Sequence, residues 1–125
     1  MTKRILVVED QDDLRGILRD LLTGSGYEVA EATDGGGAVV KAKSERPDLI
    51  LMDIQLPGLN GYEATRQIKA EPTLMATPVI AVSSFAMKGD EEKARAAGCD
   101  VYVTKPYSPL QLLRIIRDLL GEKAR

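Results

Sequence analysis

Four apolar residues in a row, Leu49-Ile50-Leu51-Met52, stand between Pro47-Asp48 and Asp53, and Leu56-Pro57 closes the stretch. A short unbroken apolar run bounded by turn residues is a strand buried on both faces. Such a strand needs a layer above it and a layer below it, which constrains the fold more than any other feature of the chain. The run ends in a carboxylate. Open α/β folds gather their chemistry at the carboxyl ends of parallel strands. Asp53 therefore either carries chemistry or caps a following helix, and the other segments decide between the two.

The same kind of run recurs. Arg4-Ile5-Leu6-Val7-Val8 is β-branched and apolar and leads into the acidic stretch Glu9-Asp10-Gln11-Asp12-Asp13. Leu14, Ile17, Leu18, Leu21 and Leu22 then repeat at helical spacing, with Asp12 as the expected cap and Gly24 and Gly26 at the end. Gly16 interrupts that helix at a cost of roughly 1 kcal/mol against alanine. Tyr27 to Ala32 reads as a short strand, Asp34 to Gly37 as a turn, and Ala38, Val39 and Ala42 as a small helix. After Asp53 a loop runs to Asn60, and Gly61 opens a helix carrying Ala64 and Ile68. Pro78 to Val82 is a further buried strand, ending in Ser83-Ser84. A charged, alanine-rich helix from about Lys88 to Ala97 has little apolar face and is expected to be loosely held. Val101-Tyr102-Val103 is the last strand, followed by Thr104-Lys105-Pro106. Ser108 caps a final helix bearing Leu110, Leu112, Leu113, Ile115, Ile116, Leu119 and Leu120. That helix is apolar over more than one stripe, so part of it is a candidate partner surface.

Strands and helices alternating in this way imply an α/β fold, a parallel sheet covered on both faces. The 125 residues fit one domain, 1–125 with a core from about 3 to 120, without repeats or linkers. The net charge of −2 makes no electrostatic case for nucleic acid or an anionic membrane. A single cysteine permits no intrachain disulfide and fits a reducing cytoplasm. Cys99 reads as a core filler. No histidine is present, so histidine catalysis and histidine metal sites are excluded. No apolar run approaches the ~20 residues of a membrane span.

Parallel strands would collect Glu9, Asp10, Asp53, Ser83 and Lys105 on one edge. Three converging carboxylates repel one another, and a hard dication resolves the conflict; Mg²⁺ takes such oxygen ligands while keeping waters. Lysine cannot join the metal shell, but it can neutralise an anion there, and a serine hydroxyl can hydrogen-bond the same anion. A metal, an ammonium and a hydroxyl around a carboxylate describe a site that receives a phosphoryl group. Asp12 and Asp13 read as cap and solvated charge, and the glycines at 35 to 37 lack a dinucleotide-loop pattern.

From Lys3 to Leu120 the chain resembles the response-regulator receiver domains of two-component signalling, the CheY-like family. The resemblance rests on Val8-Glu9-Asp10, on Leu51 to Pro57 with Gly61, on Val82-Ser83-Ser84, and on Tyr102 to Pro106, in that order and each at a strand end. It implies a flavodoxin-like three-layer sandwich of five βα units with strand order 2-1-3-4-5. It also implies that Asp53 is the phosphoacceptor and that Asp10, Asp53 and the Gln55 backbone carbonyl ligate Mg²⁺, with Glu9 acting mainly through water. Lys105 and Ser83 would contact the phosphoryl oxygens. Ser83 and Tyr102 would form a switch pair, and the bond before Pro106 would be cis. A histidine kinase or histidine phosphotransfer protein would be the donor. No output domain follows in the sequence, so the signal would leave through the fourth helix, fifth strand and fifth helix to a protein target. The chain would act as a monomer or as a phosphorylation-dependent homodimer. Phe85, two residues past Ser83, would slow hydrolysis of the phosphoryl group.

Other functions fit less well. A haloacid-dehalogenase-type phosphohydrolase wants a second acid two residues after the nucleophile, where Gln55 stands; Asp10 with Asp12 has that spacing but on the wrong strand, and no cap domain is available. A flavin phosphate would be repelled by the acidic loop after the first strand. A degenerate receiver, binding partners without taking phosphate, is hard to square with the full set of site residues. The reading is therefore a signalling phosphoacceptor, not an enzyme, in the cytoplasm.

Overall fold

A computed structural model describes residues 2–84 and 89–122. The expectations for Phe85 and Lys88 lie outside the described residues. Strand and helix alternate as β1 (Arg4–Val8), α1 (Asp12–Gly24), β2 (Glu28–Ala32), α2 (Gly35–Glu45), β3 (Leu49–Asp53), α3 (Gly61–Ala70), β4 (Val79–Ser83), α4 (Asp90–Ala97), β5 (Val101–Thr104) and α5 (Pro109–Leu119). All strand pairs are parallel, in the order β2-β1-β3-β4-β5.

Alternation along each strand builds two cores. Leu6 and Val8 of β1, with Ile50 and Met52 of β3, pack against Ala38 and Ala42 of α2, Ala64 and Ile68 of α3, and Ala94 of α4. Ile5, Val7, Leu49 and Leu51 face the other way, onto Leu18 and Leu22 of α1 and Leu112, Leu113 and Ile116 of α5. β3 lies between them with every residue buried. Helix α4 gives the core only Ala94 and Ala97, as its charged composition dictates. Most of the apolar surface of α5 is spent on the second core, but Leu110 remains 76% exposed. Cys99 is buried beside the Thr65 hydroxyl.

Helix ends follow local chemistry, with two departures from the sequence reading. The Asp34, Asn60 and Ser108 side chains accept from the backbone N–H groups of Gly37, Glu63 and Gln111. Asp12 does not cap α1. The cap position is Gln11, without a side-chain bond, and Asp12 lies in the first turn, where its carboxylate takes Arg15 at 2.6 Å. Glycines 35 to 37 are the first turn of α2 and not a free turn. A Cβ on Gly35 would run into the Leu59 carbonyl group, so only glycine fits there.

Gly16 has no such reason: a Cβ there would touch nothing closer than the Arg19 side chain at 3.6 Å. Gly16→Ala should therefore stabilise the fold by about 0.5–1 kcal/mol, read as a higher denaturant midpoint at unchanged slope. At the other end of the molecule the Tyr27 hydroxyl donates to Glu122 Oε1 at 2.7 Å. Burial, reinforced by that carboxylate, pushes the Tyr27 phenol up to about 12. The unfolded chain loses this proton near pH 10 and the folded chain near 12, so the contribution is complete below pH 10 and is lost as pH rises towards 12. In a spectrophotometric titration Tyr27→Phe should delete a phenol that ionises near pH 12.

Candidate functional site

Strand register assembles the site. Val8 aligns with Met52, Asp53 with Val82, and Ser83 with Thr104, which sets Glu9, Asp53, Ser83 and Lys105 at one edge of the sheet. Glu9, Asp53 and Ser83 are buried, while Asp10 is exposed. Carboxylate oxygens of Glu9, Asp10 and Asp53 lie within 4.8 Å of one another. The Lys105 ammonium donates to Glu9 Oε1 at 3.1 Å and to Asp53 Oδ2 at 3.3 Å.

The electrostatics follow from those distances. Burial by itself would lower the Lys105 pKa, but the hydrogen bond to Glu9 and the charges of Asp53 and Glu9 outweigh it, and the net shift is upward. Lys105 is therefore a fixed cation. Three carboxylates against one ammonium leave a formal −2, the charge a single dication cancels. An all-oxygen donor set suits Mg²⁺, with waters completing the shell around exposed Asp10. Glu9 has both oxygens occupied already, Oε1 by Lys105 and Oε2 by the Gln11 N–H at 3.2 Å.

The remaining residues of interest fall around this cluster. The Gln55 N–H donates to Asp53 Oδ1 at 2.9 Å. Its side chain crosses to the end of β4, with Nε2 donating to Ser83 Oγ at 3.2 Å and Oε1 accepting from the Ser84 N–H at 2.9 Å. Tyr102, in β5, is half-buried against the first core. Its buried hydroxyl has no hydrogen-bond partner among the described residues. The Lys105-Pro106 peptide is cis. Asp13 stays exposed on α1.

Sequence patterns pass over two contributors. Arg15 donates to the Glu9 carbonyl at 3.0 Å, to Glu31 at 3.1 Å and to Asp12, so it ties the acidic loop to α1 and β2. Tyr107 lines the same edge with Glu9, Asp53 and Lys105. Burial raises its phenol pKa, Lys105 opposes that, and Glu9 and Asp53 add to it. Neither residue breaks a periodicity, so nothing in the sequence marks them.

The sequence model of the response regulator receiver domain family matches residues 5–117. The polar-differentiation response regulator DivK of Brucella ovis is 45% identical over 122 residues, covering 98% of this chain and 99% of its own. The crystal structure of the receiver domain of a sensor histidine kinase from Pseudomonas aeruginosa PAO1, with a magnesium ion coordinated in its active-site cleft, superposes with a TM-score of 0.90. It is 38% identical over 98% of this chain and all of that one. Chemotaxis protein CheY4 of Vibrio cholerae gives a TM-score of 0.90 at 26% identity, over 95% of this chain and 99% of its own.

Proposed function

The chain belongs to the response regulator receiver family, and we propose that it accepts a phosphoryl group on Asp53 and uses the acyl phosphate to change what it binds. The observation that carries this reading is the Lys105 ammonium held between Glu9 and Asp53 beside a cluster of three carboxylates. An Asp53 carboxylate oxygen attacks the phosphorus of a phosphohistidine on a histidine kinase or phosphotransfer protein. The O–P bond forms as the donor's N–P bond breaks, and the electron pair stays on the imidazole nitrogen. The Lys105 ammonium and the Ser83 hydroxyl donate to phosphoryl oxygens.

Asp10, Asp53 and the Gln55 carbonyl would hold Mg²⁺ directly and Glu9 mainly through water. When bound, the ion supplies positive charge for the phosphoryl oxygens. The Mg²⁺ in the active-site cleft of the Pseudomonas aeruginosa receiver domain supports a metal at this site. An apolar recess of about 380 Å³ lined by Leu14, Lys105, Pro106 and Tyr107 gives a donor a seat beside the acceptor.

Output runs through α4, β5 and α5 to a downstream protein, with the molecule a monomer or a phosphorylation-dependent homodimer. A groove of about 260 Å³ between β5 and α5, lined by Tyr102, Val103, Tyr107, Gln111 and Ile115 among others, supports that surface. The hydroxyl of Ser83 and the ring of Tyr102 are the moving pair. Beyond taking up and shedding its phosphoryl group the protein is not an enzyme. It acts as one receiver domain over 1–125 in the cytoplasm; among the described residues no helix is long and apolar enough to cross a membrane.

Acetyl phosphate with Mg²⁺ should add one phosphoryl group, mapped to Asp53 by borohydride trapping, and chelation should stop the labelling. Labelling at another residue, or at full rate in chelator, sinks the reading.

A further inference from the structure

Gln55 bonds three groups at the mouth of the site through three different atoms. Its N–H holds Asp53 Oδ1, its Nε2 donates to Ser83 Oγ, and its Oε1 accepts from the Ser84 N–H. The side chain thus spans from the turn after β3 to the end of β4, across the acceptor. An oxygen of a bound anion arriving there needs hydrogen-bond donors, and the Ser84 N–H beside the Ser83 hydroxyl already holds an oxygen, that of the carboxamide. An uncharged acceptor on an exposed side chain is cheap to displace, and an anionic oxygen makes stronger bonds to the same donors.

We propose that the Gln55 carboxamide is an internal competitor for the phosphoryl group. In the resting protein its oxygen occupies the Ser84 N–H while its NH2 donates to the Ser83 hydroxyl oxygen, and it swings out as the anion binds. The inference rests on the phosphoacceptor reading above and adds to it a residue that sets how readily the site fills. The opposite view, that the side chain only orders the loop, predicts that its removal leaves anion affinity unchanged or lowers it.

Beryllofluoride with saturating Mg²⁺ is the probe, since it mimics the phosphoryl group without a transfer step. Gln55→Ala and Gln55→Met both delete the two side-chain bonds, and methionine keeps the bulk. Each should bind beryllofluoride about three- to tenfold more tightly than wild type, the size that one competing hydrogen bond, to the Ser84 N–H, allows. In the free proteins the Ser84 amide should exchange with solvent several-fold faster in both variants than in wild type; with beryllofluoride bound, the difference should vanish. Equal or weaker binding by both variants overturns the proposal. Tighter binding by the alanine variant alone assigns the effect to bulk and overturns it too. A wild-type protein that binds no beryllofluoride fails at the earlier step, the phosphoacceptor reading itself, and is recognised by that.

Discussion

Asp53→Asn takes up no phosphoryl group from acetyl phosphate, whatever the Mg²⁺ concentration. The variant carboxamide has the size of the carboxylate and still offers an oxygen to the Gln55 N–H, which lies 2.9 Å from Asp53 Oδ1. Lys105 keeps Glu9 at 3.1 Å, so its ammonium does not lose all its compensation. The fold is therefore retained, and circular dichroism and the thermal midpoint should stay close to wild type. What disappears is the nucleophile, because an amide oxygen without the carboxylate charge does not displace a leaving group from phosphorus at a useful rate. Mg²⁺ affinity should also fall about tenfold or more, from removing one charge among oxygens a few ångströms apart in a partly buried site. Intact mass spectrometry and a magnesium titration check the two effects separately. A variant that still labels at the wild-type rate removes Asp53 from the mechanism.

Gly61→Ala has the second large effect, and it acts through the backbone. A Cβ at that position would meet the Asp53 carbonyl oxygen at 2.5 Å and the Ile54 Cα at 2.8 Å. Both are main-chain atoms of β3 or its exit, and neither can rotate away as a side-chain terminus would. Overpacking of this kind costs about 2–3 kcal/mol. The strand end that must shift is the one carrying the acceptor, so the labelling rate should drop about tenfold or more even where the variant is fully folded, since an error near 1 Å in a reacting group costs up to a hundredfold. Gly35→Ala is the comparison. Its clash is with Leu59, in the same loop but six residues beyond the acceptor and not with Asp53 itself, so it should destabilise the protein with a smaller loss of rate. Chemical denaturation followed by acetyl phosphate kinetics at low temperature separates the two variants. A Gly61→Ala protein with wild-type stability contradicts the close approach.

The sheet is legible in the sequence because burial on both faces writes itself into composition. Ile5 to Val8, Leu49 to Met52 and Val79 to Val82 can hardly be anything but inner strands, and the residues that end them have to meet on one edge. The acidic trio and Lys105 follow from that placement alone. Other features escape for physical reasons. The cap of α1 differs from expectation because the helix begins one residue earlier than the pattern suggests, with Gln11 at the cap position and Asp12 already in the first turn, paired with Arg15. The start of α2 resembles a turn because three glycines suggest one, whereas the first of them is fixed by the distant Leu59. The side-chain reach of Gln55 to Ser83 joins residues 28 apart in sequence, and no hydrophobic period reports a contact between two polar groups. Arg15 and its bond to the Glu9 carbonyl are hidden in the same way.

Lys105 meets its neighbours twice. Its ammonium lies against Asp53 at 3.3 Å, and its own backbone N–H donates to the Ser83 carbonyl at 2.7 Å. One residue thus rivets the tip of an inner strand to the tip of the outermost one. Pulling its side chain drags on a peptide plane that Ser83 also grips, so the reactive corner and the rim of the sheet carry any load as a single truss.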